Sequence, residues 1–378
     1  MKRKFIVFGS IILVSLLISI ASIIILNRGA SASPPSATLS ECTTHVDNGP
    51  DSIKIVFISD EETTQEYLNY LLSIEPFDEK KDKFSFFSIN EEGSCKLYRS
   101  IALLCNDGNT KKIAAACDHD YVVTVNDKQS KSIRSSSIGK FVSVNRKQAF
   151  SVLVHELSHS IFNFAEEYKS AENANPPRGS VNCQDSPEGF EEFEGGYDGT
   201  YKECTNSELY RSHENSIMRT LQSNTLGLFN QNRAGEEIER QTSKKISPIT
   251  GFATQEDSSC LNQEYILVEG KRLEDGTIEI TSTEKAIGCA GSPDEFGVLD
   301  YTVTSDSNEI ILSGKSLPEV IFTTDDSEDT ITSPSYENNE FMIAIQETEQ
   351  ADTLEITDEE GRTTTLNLND IEARPCQV

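Results

Sequence analysis

Strand and helix patterns that alternate over residues 51–250, followed by short strand patterns alone over 251–378, predict an α/β (α+β) domain with a C-terminal all-β sandwich. An apolar stretch at the N-terminus adds a transmembrane helix to that fold class. The expected organisation is an anchor or signal segment over 1–30, a linker over 31–50, the mixed domain over 51–250 and the β-sandwich over 251–378.

Lys2, Arg3 and Lys4 precede 22 uncharged residues, Phe5 to Leu26. As a helix these span about 33 Å, close to a bilayer's hydrocarbon thickness. A cleavable signal usually has a shorter apolar core. The length therefore predicts a single-pass cell-membrane anchor with the bulk of the chain outside. Cleavage within Gly29–Ser33, giving a secreted protein, is the alternative.

Beyond a Ser/Pro-rich linker, Ile53–Ile58 reads as a buried strand and Glu61–Ser73 as a helix carrying Tyr67, Leu68, Leu71 and Leu72 on one face. Phe84–Ile89 and Tyr121–Val125 are further strands, and Lys140–Val144 is expected at a sheet edge. Arg146–Phe164 carries Phe150, Val152, Leu153, Leu157 and Ile161 at helical spacing. From about Gly251 only short strand signals appear, seven or eight in about 125 residues, ending in a hairpin turn at Asp358–Gly361.

The chain has 378 residues, with 33 Lys+Arg against 62 Asp+Glu and a formal charge of −29. Such a balance excludes a nucleic-acid role, which needs basic surface to displace phosphate counterions. Nine cysteines suit an oxidising exterior. Cys183 and Cys204 bracket a loop rich in Gly and acidic residues, and Cys260 with Cys289 is a candidate pair. One of Cys95, Cys105 and Cys117 is placed to reach Cys42 or to stay free. The odd number leaves at least one thiol unpaired within a single chain.

The segment that points to chemistry is His155-Glu156-Leu157-Ser158-His159. On a helix, positions i and i+4 share a face, so both imidazoles can bind one Zn2+, with Glu156 offset towards a metal-bound water. This gives residues 51–250 a zincin-like character. With only five His in the chain, a pair around a Glu at this spacing is an uncommon accident. Bare imidazoles inside an apolar helix would also be costly without a partner. Glu156 is the expected general base and acid.

A third ligand is required, with Glu166, Glu167 and His213 as candidates. In HExxHxxGxxH sites a glycine turns the chain before the third ligand. Here Asn163 can supply that turn, since Asn tolerates the left-handed conformation, and three residues onward is Glu166. Glu167 and His213 are the alternates. Ser216-Ile217-Met218-Arg219 resembles a methionine turn, making Met218 a candidate support beneath the metal. Tyr168 is expected to pack beneath the site, Tyr197, Tyr201 and Tyr210 are candidate oxyanion contacts, and Cys42 is a candidate latency ligand.

The stretch HELSHSIFNFAEEY, from His155 to Tyr168, resembles the HEfGHsfxgLaDEY motif of the IgA peptidase family of zinc metallopeptidases. IKIVFISDEETTQEY from Ile53, EPFDEKKDKFSFFSIN from Glu75 and YVVTVN from Tyr121 extend the resemblance, which covers roughly Ile53 to Met218. It departs at Ser158 and Asn163, where the family has Gly, and at Glu166, where Asp is usual. The resemblance implies a metzincin-like zinc peptidase. It does not identify the substrate.

The resulting expectation is a zinc endopeptidase acting on protein or peptide outside the cytoplasm, held to the membrane by its N-terminal helix. The partner of the β-sandwich is unknown. The rival from another class is a catalytically inactive cell-surface binding or adhesion protein on a peptidase scaffold.

Overall fold

The computed structural model describes residues 40–170, 174–191, 193–246, 260–317, 320–322, 339–348 and 350–371. The first eight strands are β1 (Cys42–Val46), β2 (Ile53–Ile58), β3 (Phe84–Ile89), β4 (Lys96–Tyr98), β5 (Ala102–Leu104), β6 (Tyr121–Asn126), β7 (Ser136–Ile138) and β8 (Phe141–Asn145). The helices are α1 (Glu61–Leu71), α2 (Gly108–Ala114), α3 (Ser151–Phe162), α4 (Glu188–Glu191) and α5 (Leu228–Ile246).

Strand β2 is a near-continuous apolar run because it is covered on both faces, as central parallel strands are. It lies between β3 and β6, parallel to both, and β8 continues the parallel set beside β6. Antiparallel β1 closes one side, and antiparallel β7 lies beyond β8. The first helix starts where Asp60 accepts hydrogen bonds from the Thr63 amide (2.8 Å) and hydroxyl (2.7 Å), with Glu61 and Glu62 in the first turn suiting the helix dipole.

One face of this sheet, with Ile53, Ile55, Phe57, Phe84, Phe86, Val123 and Val144, shares a core with α1, α3 and α5 and with Ile217 and Met218. The opposite face, with Val56, Ile58, Ile89 and Val122, packs with Ala114, Ala116 and Cys117 at the end of α2. The His155–His159 segment therefore rides on a helix pressed into the larger core.

A hairpin of β9 (Tyr201–Cys204) and β10 (Asn206–Arg211) follows α4. The C-terminal strands are β11 (Glu264–Arg272), β12 (Ile278–Ile287), β13 (Leu299–Thr304), β14 (Ile310–Ser316), β15 (Val320–Phe322), β16 (Glu340–Gln346), β17 (Thr353–Asp358) and β18 (Thr363–Asn367). They form a sheet of order β12-β11-β16 and another of order β14-β13-β17-β18. Ile266, Val268 and Ile343 from the first share a core with Leu299, Val303 and Ile356 from the second. Strand β15 belongs to neither: it pairs antiparallel with β7 and completes a seven-stranded sheet of order β1-β3-β2-β6-β8-β7-β15.

Several expectations are corrected here. The fold class is not the α/β (α+β) zincin-like domain with a transmembrane helix and sandwich: the described residues form mixed sheets, 33% strand, with five helices. Among the described residues no helix is long and apolar enough to cross a membrane. The longest, α5, is laced with Arg233, Glu236, Glu237, Glu239 and Arg240. The apolar segment over 5–26 lies outside the described residues, and the single-pass cell-membrane assignment is withdrawn. Strand β8 is also interior, because β7 and then β15 pair beyond it.

Four disulfides join Cys42 to Cys117, Cys95 to Cys105, Cys183 to Cys204 and Cys260 to Cys289. Cys376, the ninth cysteine, lies outside the described residues. The bond to Cys117 removes Cys42 from consideration as a latency ligand.

Candidate metal centre

All of α3 is buried, including His155, Glu156 and His159. It ends at Asn163, in the left-handed conformation (φ 54°, ψ 35°), whose amide donates to the His159 carbonyl (3.1 Å) while the Phe164 amide reaches the Ser158 carbonyl (3.2 Å). That cap reverses the chain within one turn, so Glu166 returns to the same face as the two histidines.

Each imidazole is oriented by a backbone carbonyl. His155 donates from Nδ1 to the Ile217 carbonyl (2.8 Å), and His159 from Nδ1 to the Phe164 carbonyl (2.5 Å). A carbonyl can only accept, so in both neutral rings the hydrogen sits on Nδ1 and the lone pair on Nε2. Those two Nε2 atoms are 3.1 Å apart. The Glu166 carboxylate faces both rings, with Oε2 3.1 Å from His155 Nε2 and Oε1 3.4 Å from His159 Nε2. Among the described residues, no other hydrogen-bond donor satisfies its oxygens.

Three acceptors meeting in a buried space repel one another unless they share a cation. The separations are close to what a metal needs: one ligand atom from each residue lies within 4.8 Å of the others, and ligands about 2.0–2.2 Å from a tetrahedral ion stand about 3.3–3.6 Å apart. His155, His159 and Glu166 thus fit a divalent metal. The three groups are also strongly coupled in charge. Burial pushes the Glu166 carboxyl up, but His155 and His159 outweigh it and hold it at about 2. Burial pushes His155 down, and Glu166 outweighs that, keeping the ring at about 9. Glu156 is fully buried and adds its charge to the same effect.

The other sequence candidates fall elsewhere. Glu167 is fully buried and turned away from the three acceptors, hydrogen-bonded to Asn182, Ser216 and Asn230. His213 pairs through Nδ1 with Asp198 (2.8 Å), outside the cluster. Met218 is buried in the core beside Ile217, and its carbonyl accepts from the Glu167 amide (3.0 Å). Tyr168 lines a cavity of about 580 Å³ with Asn215, Arg219, Thr220, Gln222 and Ser223. The rings of Tyr201 and Tyr210 are covered by Arg211 and Lys202 in the β9–β10 hairpin. A cavity of about 590 Å³, lined by Lys140, Asp294 and Tyr301 among others, includes none of the metal-centre residues. Asp118, Cys260 and Cys289 also converge, but the two cysteines are joined to each other as a disulfide.

Sequence reasoning missed the carbonyls of Ile217 and Phe164, and the side chains of Asn182 and Asn230. Backbone groups carry no residue-type signal, and the two asparagines sit 15 and 63 residues from Glu167 with nothing periodic to mark them. No protein-family model matches this chain, and no curated protein matches it.

Proposed function

We propose that this chain is a zinc-dependent endopeptidase that works outside the cytoplasm. Its four disulfides suit an oxidising compartment. The observation that carries the reading is the convergence of His155 Nε2, His159 Nε2 and a Glu166 carboxylate oxygen, with Glu156 next to the first of them in sequence. Structural zinc sites are usually closed and rich in cysteine; three N/O ligands leave a fourth position for water.

A bound zinc ion would supply Lewis acidity, lowering the pKa of its water towards about 7 and polarising a carbonyl oxygen. His155, His159 and Glu166 would hold it, with the Ile217 and Phe164 carbonyls keeping the imidazoles in the tautomer that presents Nε2. Glu156 accepts the proton of the attacking water and passes it to the leaving amine as the peptide bond breaks. Burial of the carboxylate keeps bulk water from competing for that proton.

Metal analysis of the purified chain together with a peptide-cleavage assay tests the proposal. Glu156→Gln is expected to keep stoichiometric zinc and lose about 10²–10⁴-fold in hydrolysis. Unimpaired cleavage would sink the mechanism. Stoichiometric zinc in the native chain with no cleavage across a broad peptide library would favour a binding protein on a peptidase scaffold instead.

A further inference from the structure

We infer that Glu167 is a positioning residue that sets the geometry of the metal centre by tying together the supports of two ligands, His155 and Glu166. The inference rests on the zinc reading above. Glu167 is fully buried, and its carboxylate accepts from three neutral donors drawn from three parts of the chain. Asn182 Nδ2 (3.2 Å) and Asn230 Nδ2 (2.7 Å) reach Oε1, and the Ser216 hydroxyl reaches Oε2. Both oxygens of the side chain are therefore engaged.

One arm leads to His155. Ser216 is held by Glu167, and the next residue, Ile217, offers the carbonyl that fixes the His155 ring at 2.8 Å. The Glu167 amide donates to the Met218 carbonyl (3.0 Å), and the Glu167 carbonyl accepts from Arg219 Nη1 (3.1 Å). Side chain and main chain of Glu167 therefore both hold the 216–219 turn. The other arm leads to Glu166, its neighbour in the chain. Asn182, which grips the Glu167 carboxylate, also accepts from the Ala165 amide (2.7 Å) and donates to the Ala165 carbonyl (2.9 Å). One amide thus clamps the residues on both sides of Glu166. Groups that orient metal ligands from outside typically change metal affinity about 10–100-fold when removed.

The test compares the native full chain with Glu167→Ala, Glu167→Gln and Ser216→Ala. The readouts are zinc affinity by chelator competition and the visible absorption of the cobalt-substituted protein, which reports ligand geometry. Glu167→Ala is expected to weaken zinc binding about 10–100-fold and to shift the cobalt bands. Glu167→Gln should recover most of the affinity, because its amide oxygen can still accept from both asparagines while Ser216 turns to accept from its nitrogen. Ser216→Ala should weaken binding in the same direction and by less. A folded Glu167→Ala with native affinity and native cobalt bands would overturn the inference, as would a Gln variant as damaging as Ala. Should Glu167→Ala not fold, unchanged zinc affinity in Ser216→Ala would overturn it equally. A native chain that binds no zinc removes the function and this inference together. Native zinc binding that none of the variants moves removes this inference alone.

Discussion

At the candidate metal centre the rings of His155 and His159 donate through Nδ1 to the carbonyls of Ile217 and Phe164, and beside α2 the ring of His119 makes the same kind of bond to the Cys117 carbonyl (2.9 Å). All three imidazoles are almost fully buried. They differ in what faces Nε2. For His155 and His159 it is another lone pair and a carboxylate; for His119 it is the ammonium of Lys111, 3.4 Å away. Burial and then Lys111 push His119 down to about 3, whereas Glu166 overcomes burial and lifts His155 to about 9. A buried histidine is therefore no sign of a metal site in itself. The deciding quantity is how many acceptors are aimed at one point without a donor among them.

The largest expected break in that contrast comes from Glu166→Ala. It removes the one anion among the three acceptors, and zinc affinity should fall by more than the loss of an outer support, thus over about 100-fold. Lys111→Met at the other cluster should leave zinc affinity untouched while costing about 1–3 kcal/mol of stability, because His119 Nε2 loses its donor. Chelator competition and urea unfolding on both variants read the two effects separately. Zinc affinity unmoved by Glu166→Ala would dissolve the distinction between the clusters.

A smaller effect tests the sign at His119. Its folded value lies below its ordinary value near 6.5, so the folded state favours the neutral ring. Its contribution to stability is then fully present above pH 6.5 and is lost as the pH falls through 3. Lys111 faces the ring, Lys140 also disfavours its protonation, and Asp120 opposes both. Asp294 favours the charged form of Lys111, and its own carboxyl is raised to about 6, mainly by burial. The clean measurement is therefore the difference in urea midpoint between the native chain and His119→Gln, followed from pH 7.5 to 4. That difference should move against the native chain as the pH falls. A difference independent of pH would mean that the ring is not held neutral.

How much of this could be read in advance depended on the reach of each interaction. The two histidines sit one helical turn apart, so their spacing alone places both rings on one face. Glu166 was reachable by counting past a residue able to adopt a left-handed turn. The Ile217 carbonyl lies 62 residues from His155, and only the packed core brings it there. Val320–Phe322 carries a strand signal in the sequence, but nothing local says that it leaves the C-terminal sheets to pair with β7. The pairing of β7 with β8 likewise turned Lys140–Val144 from an expected edge into an interior strand. Cys95 and Cys105 were close in sequence yet not foreseen as partners, since spacing does not report the direction of their Cβ atoms.

The smallest effect concerns the turn that brings Glu166 back. Asn163 carries a positive φ at no more than a modest cost for an asparagine, and its Nδ2 donates to the Arg178 carbonyl (3.0 Å). Glycine there would relieve the backbone but forfeit that hydrogen bond and loosen the unfolded chain, terms of opposite sign and similar size. Asn163→Gly should thus stay within about 1 kcal/mol of the native chain and keep its zinc affinity. Asn163→Ala has no such relief: it keeps the left-handed penalty, roughly 1–2 kcal/mol, and loses the hydrogen bond as well. Thermal unfolding of the two variants should therefore rank Ala below Gly. The reverse order would show that the left-handed conformation carries no penalty at this position, so that the path to Glu166 is not set by the backbone at the end of α3.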